Sequence, residues 1–163
     1  MIDPNIQSKG YFLTSLELPS GIRAQLIDRN WVELDLLIHN ETLAQGIIYR
    51  ELEKYADFSE IEHIISIRSS GLEADEDGIW HDDGSRVLAF SLSLTLDPLT
   101  IEGGCLEIRK KQTSPIGGEL DTSRLPTPAY GTLIVFATGY LGFEHRIYRV
   151  TQGERIIIAG WCS

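Results

Sequence analysis

The chain reads as a mainly β domain, a sandwich or barrel with helix on one face, and three observations predict this. From Ile61 onwards, short β-branched or apolar runs recur: Ile61–Ser69, Val87–Leu96, Cys105–Arg109, Thr132–Thr138, His145–Val150 and Arg155–Trp161. Clusters of Gly, Pro, Asp or Ser separate most of them, as turns separate strands. Before that point one stretch shows a helical period, with Leu43, Ile47, Ile48, Leu52 and Tyr55 falling on one face. Finally, 163 residues with 42 % hydrophobic and 23 % charged side chains suit one globular domain, 1–163, with a core that needs no disulfide or structural metal.

Taken in order, Tyr11–Leu18 alternates apolar and polar residues loosely enough for a strand. Trp31–His39 suits helix and strand equally. Leu43–Tyr55 is the helix, with Asn40 and Thr42 as candidate caps, and its stripe should pack on the back of a sheet. One or two such N-terminal helices supporting a barrel are expected. The longest irregular stretch, Lys110–Pro128, carries Pro115, Gly117, Gly118, Pro126 and Pro128. A loop of that length is commonly functional or disordered, and it is read either as a flap near the barrel mouth or as a passive surface loop. There is no internal repeat, low-complexity tract or linker.

Acidic residues outnumber basic ones by 24 to 14, a formal charge of −10. Such a surface repels phosphate backbones and weighs against nucleic acid as a partner. The basic run Arg109-Lys110-Lys111 is read as a solvated loop edge. Cys105 and Cys162 stand far apart in no metal-ligand spacing, so both thiols are expected free, in a reducing cytoplasm, with Cys162 inert. No apolar segment has the length of a membrane span or signal-peptide core, so no membrane association is expected.

The chemistry concentrates around Trp80-His81-Asp82-Asp83-Gly84-Ser85. On an extended backbone residues i and i+2 share a face, so His81 and Asp83 converge while Asp82 turns away. An imidazole and a carboxylate side by side suit a divalent first-row metal. His145, in a late strand, offers a third ligand; His39 and His63 are read as structural or surface residues. Two histidines and one carboxylate leave half an octahedron open, the arrangement of non-haem Fe(II) oxygenases. No cysteine stands where a closed zinc site would need it. Arg155 comes after His145 across the turn Thr151-Gln152-Gly153-Glu154, and a hairpin there would bring both into one cavity. A buried arginine needs an anionic partner, and a planar guanidinium suits a terminal carboxylate.

These residues resemble the Fe(II)- and 2-oxoglutarate-dependent dioxygenases, closest to the prolyl-hydroxylase-like branch. The resemblance covers roughly the C-terminal two thirds of the chain. It rests on the strand Ile64–Arg68, His81-x-Asp83, Phe90–Leu96, Gly103-Gly104-x-Leu106, Gly131–Phe136, His145, and Val150 through Arg155 to Trp161. It implies a double-stranded β-helix, or jelly-roll, barrel with the metal inside, and no catalytic residue beyond the metal site. By the resemblance His81, Asp83 and His145 would ligate Fe(II), and Arg155 would pair with the distal carboxylate of 2-oxoglutarate. Thr95 falls where the family often places a second hydroxyl contact to that carboxylate. The implied reaction converts 2-oxoglutarate and O₂ to succinate and CO₂ while hydroxylating a C–H bond, with ascorbate as an accessory reductant. The chain departs from some relatives in having Ile156 and Ile157 after Arg155, without an Arg-x-Ser pattern, and in a short N-terminal part.

Two other classes share the expected barrel. A cupin-like metalloenzyme that uses no oxo acid would supply a further histidine and would not need Arg155. A non-catalytic jelly-roll binding module has no reason to keep this ligand set together with an inward arginine. The substrate, whether a protein or a small molecule, is left open by the sequence.

Overall fold

A computed structural model describes residues 2–71, 77–111 and 121–163, and its strands run antiparallel in two main sheets. The larger sheet has the order β1 (Tyr11–Ser15), β7 (Thr132–Ala137), β3 (Leu88–Ser93), β10 (Glu154–Cys162) and β2 (Ile61–Ser69). The smaller has the order β6 (Thr122–Leu125), β5 (Leu106–Lys110) and β8 (Phe143–Ile147), and a short pair joins β4 (Glu102–Gly103) to β9 (Val150–Gln152). Strands remote in sequence are neighbours in space, which is the jelly-roll layout that the sequence led us to expect.

The two-residue side-chain period sorts each strand of the large sheet into a core face and a cavity face. On β10, Ile156, Ile158 and Cys162 join the core, while Arg155, Ile157, Ala159 and Trp161 line a cavity. On the edge strand β2, Ile61, Ile65 and Ile67 pack against the core, and Ile64, Ser66 and Arg68 face the cavity.

Among the described residues four helices support the sheet, more than the one or two expected: α1 (Pro4–Lys9), α2 (Ser20–Ile27), α3 (Trp31–Thr42) and α4 (Ile47–Leu52). Each brings apolar side chains into one continuous core, among them Ile6, Ile22, Leu26, Leu34, Ile38, Ile48 and Leu52. Full burial of such a side chain stabilises the fold by about 1.5–3 kcal/mol. Asp3 starts α1 by accepting the Asn5 N–H (2.8 Å), with Pro4 in the first turn.

The helix expected over Leu43–Tyr55 is shorter, α4 (Ile47–Leu52), and a break separates it from α3, which ends at Thr42. α3 runs through Asn40 and Thr42, so neither caps α4, and Leu43 is extended. α4 starts at Ile47, whose N–H donates to the Glu41 carboxylate (2.8 Å). Ile48, Leu52 and Tyr55 of the expected stripe reach the core, but Leu43, on the far side of the break, is exposed. His145–Val150 also divides: β8 joins the small sheet, while Val150 begins β9. Within the Lys110–Pro128 stretch, Thr122–Leu125 forms β6 beside β5; residues 112–120, where the flap was expected, lie outside the described residues. Among the described residues no helix is long and apolar enough to cross a membrane.

Candidate metal centre

His81 and His145 are brought together by main-chain pairing. The His81 N–H donates to the His145 carbonyl (3.0 Å) and the His145 N–H to that of His81 (2.8 Å), an isolated antiparallel bridge beside β8. The two rings then stand 4.3 Å apart, centroid to centroid. Phe136 on β7 sets its ring 4.8 Å from His145 and near perpendicular to it.

Asp83 arrives by a turn and not by the strand pleat expected from the spacing. Its φ is 54° and that of Gly84 is 65°, so two successive residues are left-handed. Asp and Gly tolerate that conformation better than other residues. The Asp82 carboxylate accepts the Gly84 N–H (2.9 Å), an Asx-type turn that holds the reversal. Asp82 also pairs with Lys111, and its carbonyl accepts the Gly139 N–H (2.7 Å). The expected separation, Asp83 toward the histidines and Asp82 away, therefore exists for a different backbone reason.

Asp83 Oδ1 lies 3.9 Å from His81 Nε2, and Oδ2 lies 3.5 Å from His145 Nε2. One candidate ligand atom from each residue lies within 4.8 Å of the others, the one such group among the described residues. His81 Nδ1 sits 3.0 Å from the Ile79 carbonyl, which can only accept; Nδ1 then carries the proton and Nε2 keeps its lone pair. Burial pushes His145 down to about 3, helped by His81, so its ring is neutral at neutral pH. Burial raises the Asp83 carboxyl above its ordinary value, against a lowering hydrogen bond from Trp161. Asp83 Oδ2 and His145 Nδ1 are buried without a protein partner among the described residues. Two imidazoles around a carboxylate with an unpaired oxygen suit a divalent cation.

The cavity beside this group has a volume of about 240 Å³, and Arg155 lines it too. The hairpin expected to pair the His145 and Arg155 strands does not form. β8 pairs with β5 in the small sheet and β10 with β2 and β3 in the large one, so His145 and Arg155 meet across the cavity. Arg155 is 2 % exposed, and its Nε and Nη1 have no partner among the described residues. Burial lowers it to about 10, helped by the nearby Arg68 charge, so it stays cationic at neutral pH. Arg68 is its partner in register on β2, lines the same cavity and pairs with Asp77.

Thr95, expected as a second co-substrate contact, is placed elsewhere. Its hydroxyl accepts the Ile156 N–H (3.0 Å) and donates to the Ile156 carbonyl (3.1 Å), and Thr95 is not among the residues lining the cavity. His39 and His63 also lie apart from the cavity, stacked on one another, with His63 3.2 Å from Asp35. Arg68 and Trp161 are cavity residues that sequence reasoning missed. Two-residue alternation from Arg155 would have found Trp161, and the register with β2 would have found Arg68.

Outside the small sheet, Trp80 lies between the Arg109 and Arg146 guanidinium groups (3.8 and 4.5 Å from the ring centre). Arg146 also meets Tyr148 (4.6 Å), which meets Arg124 (5.3 Å). Buried Glu107 accepts from Arg124 (2.7 Å) and Arg146 (2.8 Å), and Glu144 accepts from Arg109 (2.6 Å). Arg109 is thus a strand residue in a stacked network and not a solvated loop edge. The network clamps the residue next to His81 onto β5 and β8.

The sequence model of the 2OG-Fe(II) oxygenase superfamily matches residues 66–163. A search of curated proteins finds no match. Among solved structures the chain is similar to a Pseudomonas putida prolyl-4-hydroxylase, at 16 % identity and TM-score 0.66, covering 97 % of this chain and 90 % of that one. It is similar to a Trichoplax adhaerens prolyl hydroxylase solved with a hypoxia-inducible-factor peptide fragment, at 13 % identity and TM-score 0.60, covering 97 % and 85 %. A Burkholderia pseudomallei oxidoreductase of the 2OG-Fe(II) oxygenase family gives 14 % identity and TM-score 0.55, covering 99 % and 70 %. These likenesses establish a shared fold, and the sequence match spans more than half the chain: the protein belongs to the 2OG-Fe(II) oxygenase superfamily, whose cofactors are Fe(II) and 2-oxoglutarate.

Proposed function

We propose that His81, Asp83 and His145 hold the iron, that Arg155 pairs with the distal carboxylate of 2-oxoglutarate, and that the protein hydroxylates an unactivated C–H bond with release of succinate and CO₂. The observation that supports this best is one cavity lined both by a convergent His-Asp-His group and by a buried, incompletely paired arginine. When bound, the iron supplies the redox chemistry that couples O₂ and oxo-acid decarboxylation to substrate oxidation. The chain's own residues do the positioning. His81 is fixed in one tautomer by the Ile79 carbonyl, and Asp83 is oriented by Trp161. Arg155 is cationic and enclosed, so a carboxylate bound there is held by a charge-assisted pair in a low-dielectric wall. Phe136, Ile147 and Ile157 make that wall apolar and limit water around the reacting groups.

The oxidised substrate is a polypeptide or a small molecule. The peptide bound to the Trichoplax neighbour makes peptides the first class to test. An anaerobic titration of the Fe(II)-loaded protein with 2-oxoglutarate tests the core of the reading. Bidentate chelation should raise a weak visible charge-transfer band, and succinate should form on admitting O₂. Absence of both would remove the assignment.

A further inference from the structure

We propose that β1 is a self-association edge, which pairs antiparallel with β1 of a second copy about a two-fold axis at Leu13 and joins the two large sheets into one. β1 ends the large sheet, with β7 as its one strand neighbour. The Gly10 carbonyl accepts the Ala137 N–H (2.8 Å) and the Leu16 N–H donates to the Gly131 carbonyl (2.8 Å), which fixes the phase of that ladder. In an antiparallel pair alternate residues turn both main-chain groups toward the same neighbour. Gly10, Phe12, Thr14 and Leu16 therefore face β7, while Tyr11, Leu13 and Ser15 direct their N–H and C=O groups away from the sheet. Those outward groups meet no main-chain partner among the described residues.

Open edges are commonly guarded against pairing by a charged side chain or a proline. β2, the opposite edge, carries Glu62, His63 and Arg68, and His63 meets Asp35 of α3. β6, an edge of the small sheet, carries Arg124. β1 reads Tyr-Phe-Leu-Thr-Ser, without a charge, and presents Leu13 (42 % exposed) and Phe12 (38 %) to solvent. Its charges stand just beyond the strand, Lys9 before it and Glu17 after it, equally far in sequence from Leu13. Lys9 lies over the Tyr11 ring (4.5 Å), and neither charge has an ion-pair partner among the described residues. A two-fold axis at Leu13 sets Tyr11 against Ser15, Leu13 against itself and Lys9 against Glu17 of the second copy. The residues with outward main-chain groups are thus the ones brought opposite each other, and both ends of the pairing meet opposite charge. A five-residue edge falls short of the roughly 1,200–2,000 Å² of a stable interface, so the dimer is weak and forms as concentration rises.

Sedimentation velocity over rising protein concentration reads the association, and hydrogen exchange at the two ends of that range reads individual amides. The wild type should pass from monomer to dimer, and the Tyr11, Leu13 and Ser15 amides should gain protection at the high end only. Leu13→Lys should hold the protein monomeric with iron loading unchanged, since Leu13 belongs to neither the core nor the cavity lining. Lys9→Glu and Glu17→Lys should each weaken the dimer about tenfold, because each replaces both symmetry-related ion pairs by like charges. The double exchange Lys9→Glu/Glu17→Lys should restore the affinity. A wild type that stays monomeric with these amides unprotected would overturn the proposal. So would protection that is the same at every concentration, which would put other residues of the same chain, or another ligand, on the edge. A dimer that survives Leu13→Lys would move the interface away from β1, and a double exchange no tighter than the single variants would overturn the two-fold axis at Leu13.

Discussion

Separate replacement of Asp83 and Asp82 by alanine sets two adjacent, chemically identical carboxylates against each other. Asp83 is the one carboxylate in the convergent group, with its two oxygens 3.9 and 3.5 Å from the Nε2 atoms of His81 and His145. Its loss leaves two imidazoles, one of them neutral down to about pH 3, with no anion among the ligands to face a dication. Losing a residue that only orients a ligand costs about 10- to 100-fold in metal affinity. Losing the anionic ligand itself should exceed that, so Asp83→Ala is expected to lose its iron and its activity. Asp82→Ala breaks a half-buried ion pair with Lys111, worth about 1 kcal/mol, and the Asx turn to Gly84 N, worth about another. It should keep its iron, with affinity lowered by about 100-fold at most if the turn loosens. Iron analysis after anaerobic loading and desalting, then succinate measurement, separates the two. Iron lost from Asp82→Ala and kept by Asp83→Ala would refute the turn geometry and the ligand assignment with it.

Arg155→Met should bind no 2-oxoglutarate and yet melt higher than wild type when both are empty. It removes a buried charge with two unpaired nitrogens, a gain of about 1–2 kcal/mol or on the order of 2–8 °C, read by calorimetry; a lower melting point would mean that the charge is satisfied in the empty protein. Burial pushes the Cys162 thiol up to about 12, so a thiol reagent at mildly alkaline pH should label Cys105 alone in the folded protein and both cysteines after unfolding. Rapid double labelling of the folded state would contradict the burial of Cys162. Burial works to raise Glu107, but hydrogen bonds and charges from Arg124 and Arg146 hold it below its ordinary value. Glu107 therefore stabilises the fold above its unfolded pKa, and that contribution fades as pH falls through its folded value. Glu107→Gln should show a smaller drop in melting temperature than wild type between about pH 6 and about pH 3; an equal drop would locate the acid sensitivity elsewhere.

Much of the protein could be read from local pattern. Ile61–Ser69 forms β2 over its expected span, and Thr132–Thr138 holds β7, because alternation and β-branching are local and survive unless tertiary contacts oppose them. The candidate ligands could be named for a similar reason: metal chemistry admits few residue types, and His81, Asp83 and His145 were those types within a recognisable ordered set. What the residues could not show was how the chain delivers them. Asp83 faces the histidines through a left-handed turn held by Asp82, and a turn and a pleat give the same side-chain direction from the same letters. His145 and Arg155 share a cavity although their strands lie in different sheets, since pairing is decided by partners far away in sequence. Hydroxyl roles were the least readable. Thr95 and Thr127 are the same residue type, but the hydroxyl of one is engaged by Ile156 and that of the other is buried without a partner among the described residues. Only packing distinguishes them, because a hydroxyl bonds to whatever the fold brings within about 3 Å, and no sequence pattern states what that will be.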